Sequence, residues 1–124
     1  MPVAVTINPG DQVTQDPSDA RIYIVDWDYN LATGVQIAES DWSVRSLRPT
    51  FTDAGLTTDN DLLLTAAQAT TALGRSVAAD DRVSQVRISG GRLHQVYEVA
   101  NRIVTTETPS QTKERSFRLL VAQQ

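Results

Sequence analysis

The chain has 124 residues, enough for one domain whose core needs no disulfide or metal staple. It has no cysteine and a single histidine, which excludes a disulfide framework and the usual zinc sites. Fifteen acidic against eleven basic side chains give a net charge of −4, and every base except Lys113 is arginine. An acidic chain without a basic cluster is a poor nucleic-acid binder, because phosphate neutralisation needs local positive charge. The N-terminal segment lacks a signal-peptide or transit-peptide pattern, and no apolar run approaches a membrane span. Synthesis in the cytosol is expected, with neither nucleic acid nor membrane as partner.

In chain order, Val3 to Ile7 alternate as a short strand would. Asn8-Pro-Gly-Asp11 and Gln15-Asp-Pro-Ser-Asp19 are turn stretches, so residues 1–20 are expected to be an arm that lies on the domain or reaches away from it. Arg21 to Asp28 reads as a strand, with Tyr23, Val25 and Trp27 on one face and Ile22, Ile24, Asp26 and Asp28 on the other. Asn30 to Gly34 is a loop. Asp41-Trp-Ser-Val44 opens another strand, which Arg48-Pro-Thr50 should end because proline cannot donate to a ladder. A further turn is expected around Asp53-Ala-Gly55.

The segment 59–81 is expected to carry a short helix or a loop containing one, with Asp59 or Asn60 as its cap and Gly74 at its C-terminal end. A strand at Asp61 to Thr65 followed by a loop is the alternative. Arg82 to Ala122 then shows three alternating runs. The Gly90-Gly91 pair between the first two predicts a hairpin, and the whole stretch a three-stranded antiparallel meander. Val86, Ile88, Tyr97, Val99, Ile103, Phe117, Leu119 and Val121 should line one face. Arg87, Glu98, Arg102, Glu114 and Arg118 should line the other, either as a solvated surface or as a docking surface. Spaced strands, turn clusters and two tryptophans point to an all-β sandwich.

The catalytic inventory is thin. His94 is a lone histidine at a strand edge, no Gly-x-Ser-x-Gly elbow occurs, and no phosphate-binding glycine loop is present. Asp26 and Asp28 share a strand face, a spacing that suits paired carboxylates in a hydrolase or a hard cation, although the calcium-loop pattern is missing. The plain reading of these two, and of Asp80-Asp81, is solvated charge. No catalytic residue, cofactor or metal is expected. Asn101 falls on an apolar face between Val99 and Ile103, where a buried amide must be hydrogen-bonded and should fasten a neighbouring loop or strand.

Several segments in order carry a resemblance. They are Asp16-Pro-Ser-Asp19, Tyr23-x-x-Asp26-Trp27, Ile37-Ala-Glu-Ser-Asp-Trp42, Gly55-Leu-Thr57, Val86-Arg-Ile-Ser-Gly-Gly91, Tyr97-x-Val-x-Asn-Arg-Ile-Val-Thr-Thr106 and Glu114-Arg-Ser-Phe-Arg-Leu119. Together they resemble a family of small immunoglobulin-like structural proteins of tailed bacteriophages, described as fibre–tail adaptors or neck components. Gln15 stands where that family usually has lysine, the Glu107–Thr112 turn departs from its pattern, and residues 59–81 look like an insertion.

The resemblance implies an immunoglobulin-like antiparallel β-sandwich over residues 21–124. It implies a non-enzymatic virion protein, made in the host bacterial cytoplasm. Its place would be in the tail or neck, as a ring-like homo-oligomer that joins tail, nozzle or connector subunits to fibres. Partner contacts would then come from Val3, Val5 and Ile7 in the arm, from Leu62, Leu63 and Leu73 in the insertion, and from Arg87, Arg102 and Arg118 on the charged face. Trp27, Trp42, Tyr97, Asn101, Ile103, Phe117 and Leu119 are assigned to the core. A capsid-decoration or host-surface carbohydrate module is the alternative function, and a hydrolase built on Asp26 and Asp28 a third.

Overall fold

The computed structural model describes residues 5–8, 10–47 and 55–123. Val3, the Arg48-Pro-Thr50 stop and the Asp53-Ala54 turn lie outside the described residues. The elements in order are β1 (Val5–Ile7), β2 (Gln12–Gln15), β3 (Ala20–Asp26), β4 (Ile37–Ser46), β5 (Leu56–Leu63), α1 (Ala66–Leu73), β6 (Val83–Gly90), β7 (Val96–Thr105) and β8 (Thr112–Val121). They form two four-stranded sheets, ordered β1-β3-β6-β5 and β2-β8-β7-β4. This order is that of an immunoglobulin-like sandwich.

Alternation along the strands builds the core where it was expected. Tyr23, Val25, Val86 and Ile88 from one sheet meet Tyr97, Val99, Ile103, Phe117, Leu119 and Val121 from the other, and all are buried. The Tyr23 and Phe117 rings pack with centroids 5.4 Å apart.

The expected meander is corrected. β6 and β7 belong to different sheets, and only β7 and β8 form a hairpin. The chain leaves β6 through Gly90 and Gly91 and crosses the end of the sandwich instead of turning back in plane. Gly91 N–H donates to the Gly55 carbonyl at 2.8 Å, and a side chain at Gly91 would run into Val121 and Leu56. The two glycines therefore serve a close crossing, not a tight turn. The predicted apolar face is nonetheless the inner one, because the inner faces of both sheets point into one core. For the same reason Arg87 does not share a surface with Glu98, Arg102, Glu114 and Arg118.

Residues 5–15 supply one edge strand to each sheet. β1 pairs with β3 and β2 with β8, both in parallel, so the sandwich is not wholly antiparallel. The chain switches sheets at the Asn8–Asp11 turn, where the Asp11 N–H donates to the Asn8 carbonyl at 3.1 Å. Ile7 is 1% exposed within the core.

The 59–81 segment continues β5 as far as Leu63 and then forms α1, so both readings of it hold in part. The cap is Thr65, not Asp59 or Asn60. Thr65 and Gln68 form a reciprocal capping box, and Gly74 ends the helix in the left-handed conformation. Eight residues are too few for a helix that stands alone. This one is held by a second small core of Ile24, Leu64, Ala69, Val77 and Val83 on the outer side of the β3–β6 sheet. Ile24 is thus buried opposite Tyr23, which alternation alone would have left on the surface.

Asn101 fastens the two sheets. Its side-chain carbonyl accepts from Trp27 Nε1 at 2.8 Å and Ser84 Oγ at 2.5 Å, both from the opposite sheet or its end. Its amide donates to Ser40 Oγ at 2.9 Å and the Asp41 carbonyl at 3.1 Å in β4. Asn101→Leu should leave the buried indole N–H and Ser84 hydroxyl without an acceptor. We expect a loss of about 3 kcal/mol in unfolding free energy, read as a lower urea midpoint at unchanged slope.

Candidate partner interface

The loop after β3 is organised by basic side chains that converge from distant parts of the chain. Arg82, 8% exposed, donates through Nε to Asp28 Oδ1 at 2.5 Å, and through its other nitrogens to the carbonyls of Asp28, Leu31, Ala32 and Val35. Arg75, just past the α1 cap, bridges Asp26 and Asp28, the latter at 2.9 Å. Arg115 lies 4.6 Å above the Trp27 ring and donates to the Asp26 carbonyl and the Asn30 side chain. Lys113 Nζ donates to the Asn30 carbonyl at 2.8 Å.

Asp26 and Asp28 are therefore internal counter-ions, not solvated charges. Burial pushes the Asp28 carboxyl up, but hydrogen bonds from Arg82 and Arg75 outweigh it and hold the group below its ordinary value. A carboxyl so held is a poor general acid near neutral pH. Asp80 also has a task, since its carboxylate accepts from Ala66 N–H at 2.7 Å at the start of α1. Among the described residues no group of three or more histidine, cysteine, aspartate or glutamate side chains gathers as a metal site. No helix among them is long and apolar enough to cross a membrane.

Three surfaces among the described residues are candidates for a partner. The first is the outer face of the β4–β7–β8 sheet. Strand register sets Arg45, Glu98 and Arg118 in one row across it, then Ser43, Ala100 and Ser116, then Asp41, Arg102 and Glu114. Arg45 and Glu98 form an ion pair at 2.8 Å. Arg102, Glu114 and Arg118 are exposed and form no ion pair with the described residues. The second is the outward side of α1, where Ala67, Gln68, Thr71 and Ala72 line a shallow apolar groove of about 390 Å³. The third is Tyr29, 78% exposed, with the Arg75 guanidinium 4.2 Å from its ring centroid.

Of the expected contact residues, Arg102 and Arg118 lie on the first of these surfaces. Leu62 is exposed. Leu63 and Val5 are half-buried against the main core, and Leu73 is half-buried against the second one. Ile7 is enclosed by its own sandwich and leaves no surface for a partner. Arg87 sits on the opposite sheet in a two-point pair with Asp59, at 2.8 and 2.7 Å. That pair lowers the Asp59 pKa and raises that of Arg87.

Of the residues assigned to the core, Trp27, Tyr97, Asn101, Ile103, Phe117 and Leu119 are buried. Trp42 is half-buried, because its inward face lies on an edge strand with a neighbour on one side only. Arg75, Arg82 and Arg115 were not foreseen. Their partners lie 47 to 89 residues away, and no local pattern marks them. Gln15 did carry a signal, as a departure from the family lysine. It is buried, accepts from Tyr23 Oη at 2.6 Å and donates to the Ile88 carbonyl at 2.9 Å.

The chain is thus an immunoglobulin-like sandwich whose part-buried carboxylates at Asp26 and Asp28 are compensated by arginine. Over residues 15–120 the sequence matches the family model for podophage GP4 fiber-tail adaptor protein gp77, and the chain belongs to that family. No curated protein matches the sequence. Among solved structures it is similar to a cysteine protease inhibitor, EhICP2, from Entamoeba histolytica. The TM-score is 0.51 over 96% of this chain and 93% of that one, at 5% identity, a likeness of fold alone.

The Arg75 bridge makes a pH-dependent prediction. The folded pKa of Asp28 lies below its ordinary 3.8, so its contribution is complete above that value and is lost as pH falls through the folded pKa. Arg75→Ala should cost about 2 kcal/mol at pH 7 by leaving the part-buried carboxylates short of a counter-charge. The gap to the wild type should close in acid, below the ordinary carboxylate range, in urea titrations run across pH.

Proposed function

We propose that this protein is a non-enzymatic structural component of the virion, an adaptor in the tail or neck that joins tail or nozzle subunits to fibres. The observation that supports this most is the family match, which spans the sandwich from Gln15 to Leu120. The geometry is compatible with it. Asp26 and Asp28 hold the fold together, and the exposed features suit contact between proteins. Contact through Leu62 and the α1 groove places apolar area at one side of the molecule, and Arg102 and Arg118 place charge at another. Val5 extends the contact at the β1 edge, and Val3, outside the described residues, is the other arm contact. Many copies in a ring then add avidity that one small interface lacks. Its partners are other virion proteins, neither nucleic acid nor membrane is engaged, and it acts in the particle after synthesis in the host cytoplasm.

A host-surface carbohydrate module would need an aromatic platform. Among the described residues Tyr29 is the one strongly exposed aromatic, and Arg75 covers a face of its ring.

Light scattering on the purified protein, alone and mixed with its neighbouring tail, neck and fibre proteins, tests the adaptor reading. A defined ring-sized assembly should appear only with a virion partner. Leu62→Asp should weaken that assembly about tenfold while leaving the melting temperature within a few degrees of wild type. A protein that ignores every virion partner would overturn this reading and direct attention to the host surface.

A further inference from the structure

We propose that the outer face of the β4–β7–β8 sheet docks a second copy of this chain, face to face about a two-fold axis. The symmetry of its charge pattern supports this. On each of the three strands, residues four apart flank a small central residue and carry opposite charges. Arg45 and Asp41 flank Ser43 on β4, Glu98 and Arg102 flank Ala100 on β7, and Arg118 and Glu114 flank Ser116 on β8. Residues two apart share a face, so all three sets point outward. Across the strands the upper row reads plus, minus, plus and the lower row minus, plus, minus.

A two-fold axis running over the Ser43–Ala100–Ser116 row and across the strands lays each strand antiparallel on its own copy. Arg45 then meets Asp41 of the second copy, Glu98 meets its Arg102, and Arg118 meets its Glu114. The reciprocal contacts form by the same symmetry. Every long charged side chain in the patch finds an opposite charge, and the small middle row lets the faces approach. The pattern also selects against another orientation. An axis along β7 would set Arg45 over Arg118 and Asp41 over Glu114, like on like. Arg102, Glu114 and Arg118 are exposed and are not neutralised by an ion pair with the described residues, so they are available for this contact.

The three-strand patch spans a few hundred Å² at strand spacings of about 4.8 Å and about 3.4 Å per residue. That is below the roughly 800 Å² per partner of a standard interface, so the dimer should be weak and salt-sensitive. An isologous contact closes on itself and does not build a ring. The adaptor reading shares Arg102 and Arg118 with this face but rests on the family match and also draws on Leu62 and the α1 groove, so failure of the dimer would leave that reading in place.

Sedimentation equilibrium of the full chain over a wide concentration range tests it. At about 50 mM salt the mass-average should climb from 13.6 kDa toward twice that value, and it should return to the monomer at about 0.5 M salt. Arg102→Glu and Glu98→Arg should each abolish the rise, since each sets like charges against each other in the homodimer. An equimolar mixture of the two variants should restore it, because all the β7 contacts are attractive in the heterodimer. Circular dichroism and a thermal melt establish that each variant is folded. A wild type that remains monomeric at low salt, a single variant that still dimerises, or a mixture that stays monomeric would each overturn the proposal.

Discussion

Asn101 sits where the two sheets face each other, and its carboxamide makes four hydrogen bonds there. A buried amide is tolerated only when its donors and acceptor sites are matched, and each match here comes from a different residue. Trp27 comes from the end of β3, Ser84 from β6, and Ser40 and Asp41 from β4. The contact therefore sets the position of the tryptophan as well as the spacing of the sheets. Trp27 in turn is the platform for Arg115, and the loop that begins at Asp28 starts from its backbone. If the amide is lost, the end of the sandwich that carries the loop loses its reference point.

The same end shows how a chain rich in arginine uses its charge internally. Arg75 and Arg82 come from the segment around α1, and they bind Asp26 and Asp28 and the carbonyls that follow. The helix is thereby tied to the sandwich by polar contacts at its C-terminal end and by the small core around Ile24 and Ala69 beneath it. The α1 segment is thus held to the sandwich at two places. What is left outside this network is the flat face of the β4–β7–β8 sheet, whose charges alternate in sign instead of clustering.

Much of the core was legible in the alternation of β3, β6, β7 and β8. A two-residue period assigns each side chain to a face, and an apolar face must find cover. The buried amide at Asn101 was legible for a related reason, since a polar group among Val99 and Ile103 needs partners. The alternation did not show that β6 and β7 lie in different sheets, because a strand facing the core reads the same from either side of it. It did not show that Ile24 is covered, since the cover comes from α1, about 40 residues later. It also could not mark Ile7 as enclosed, because a three-residue strand carries too little pattern to separate an edge from an arm.

The chain by itself determined that this is a β-sandwich with an apolar interior, no thiol chemistry and a short helix ended at Gly74. Each of these follows from residue type and local spacing. Only the tertiary structure decided which strands are neighbours, which arginines meet Asp26 and Asp28, and that Arg45, Glu98 and Arg118 stand in one row. Those facts depend on contacts between residues far apart in sequence. Local propensity and periodicity say how a segment presents its faces, but pairing across a sheet or an ion bridge is set by which faces the whole chain can bury together.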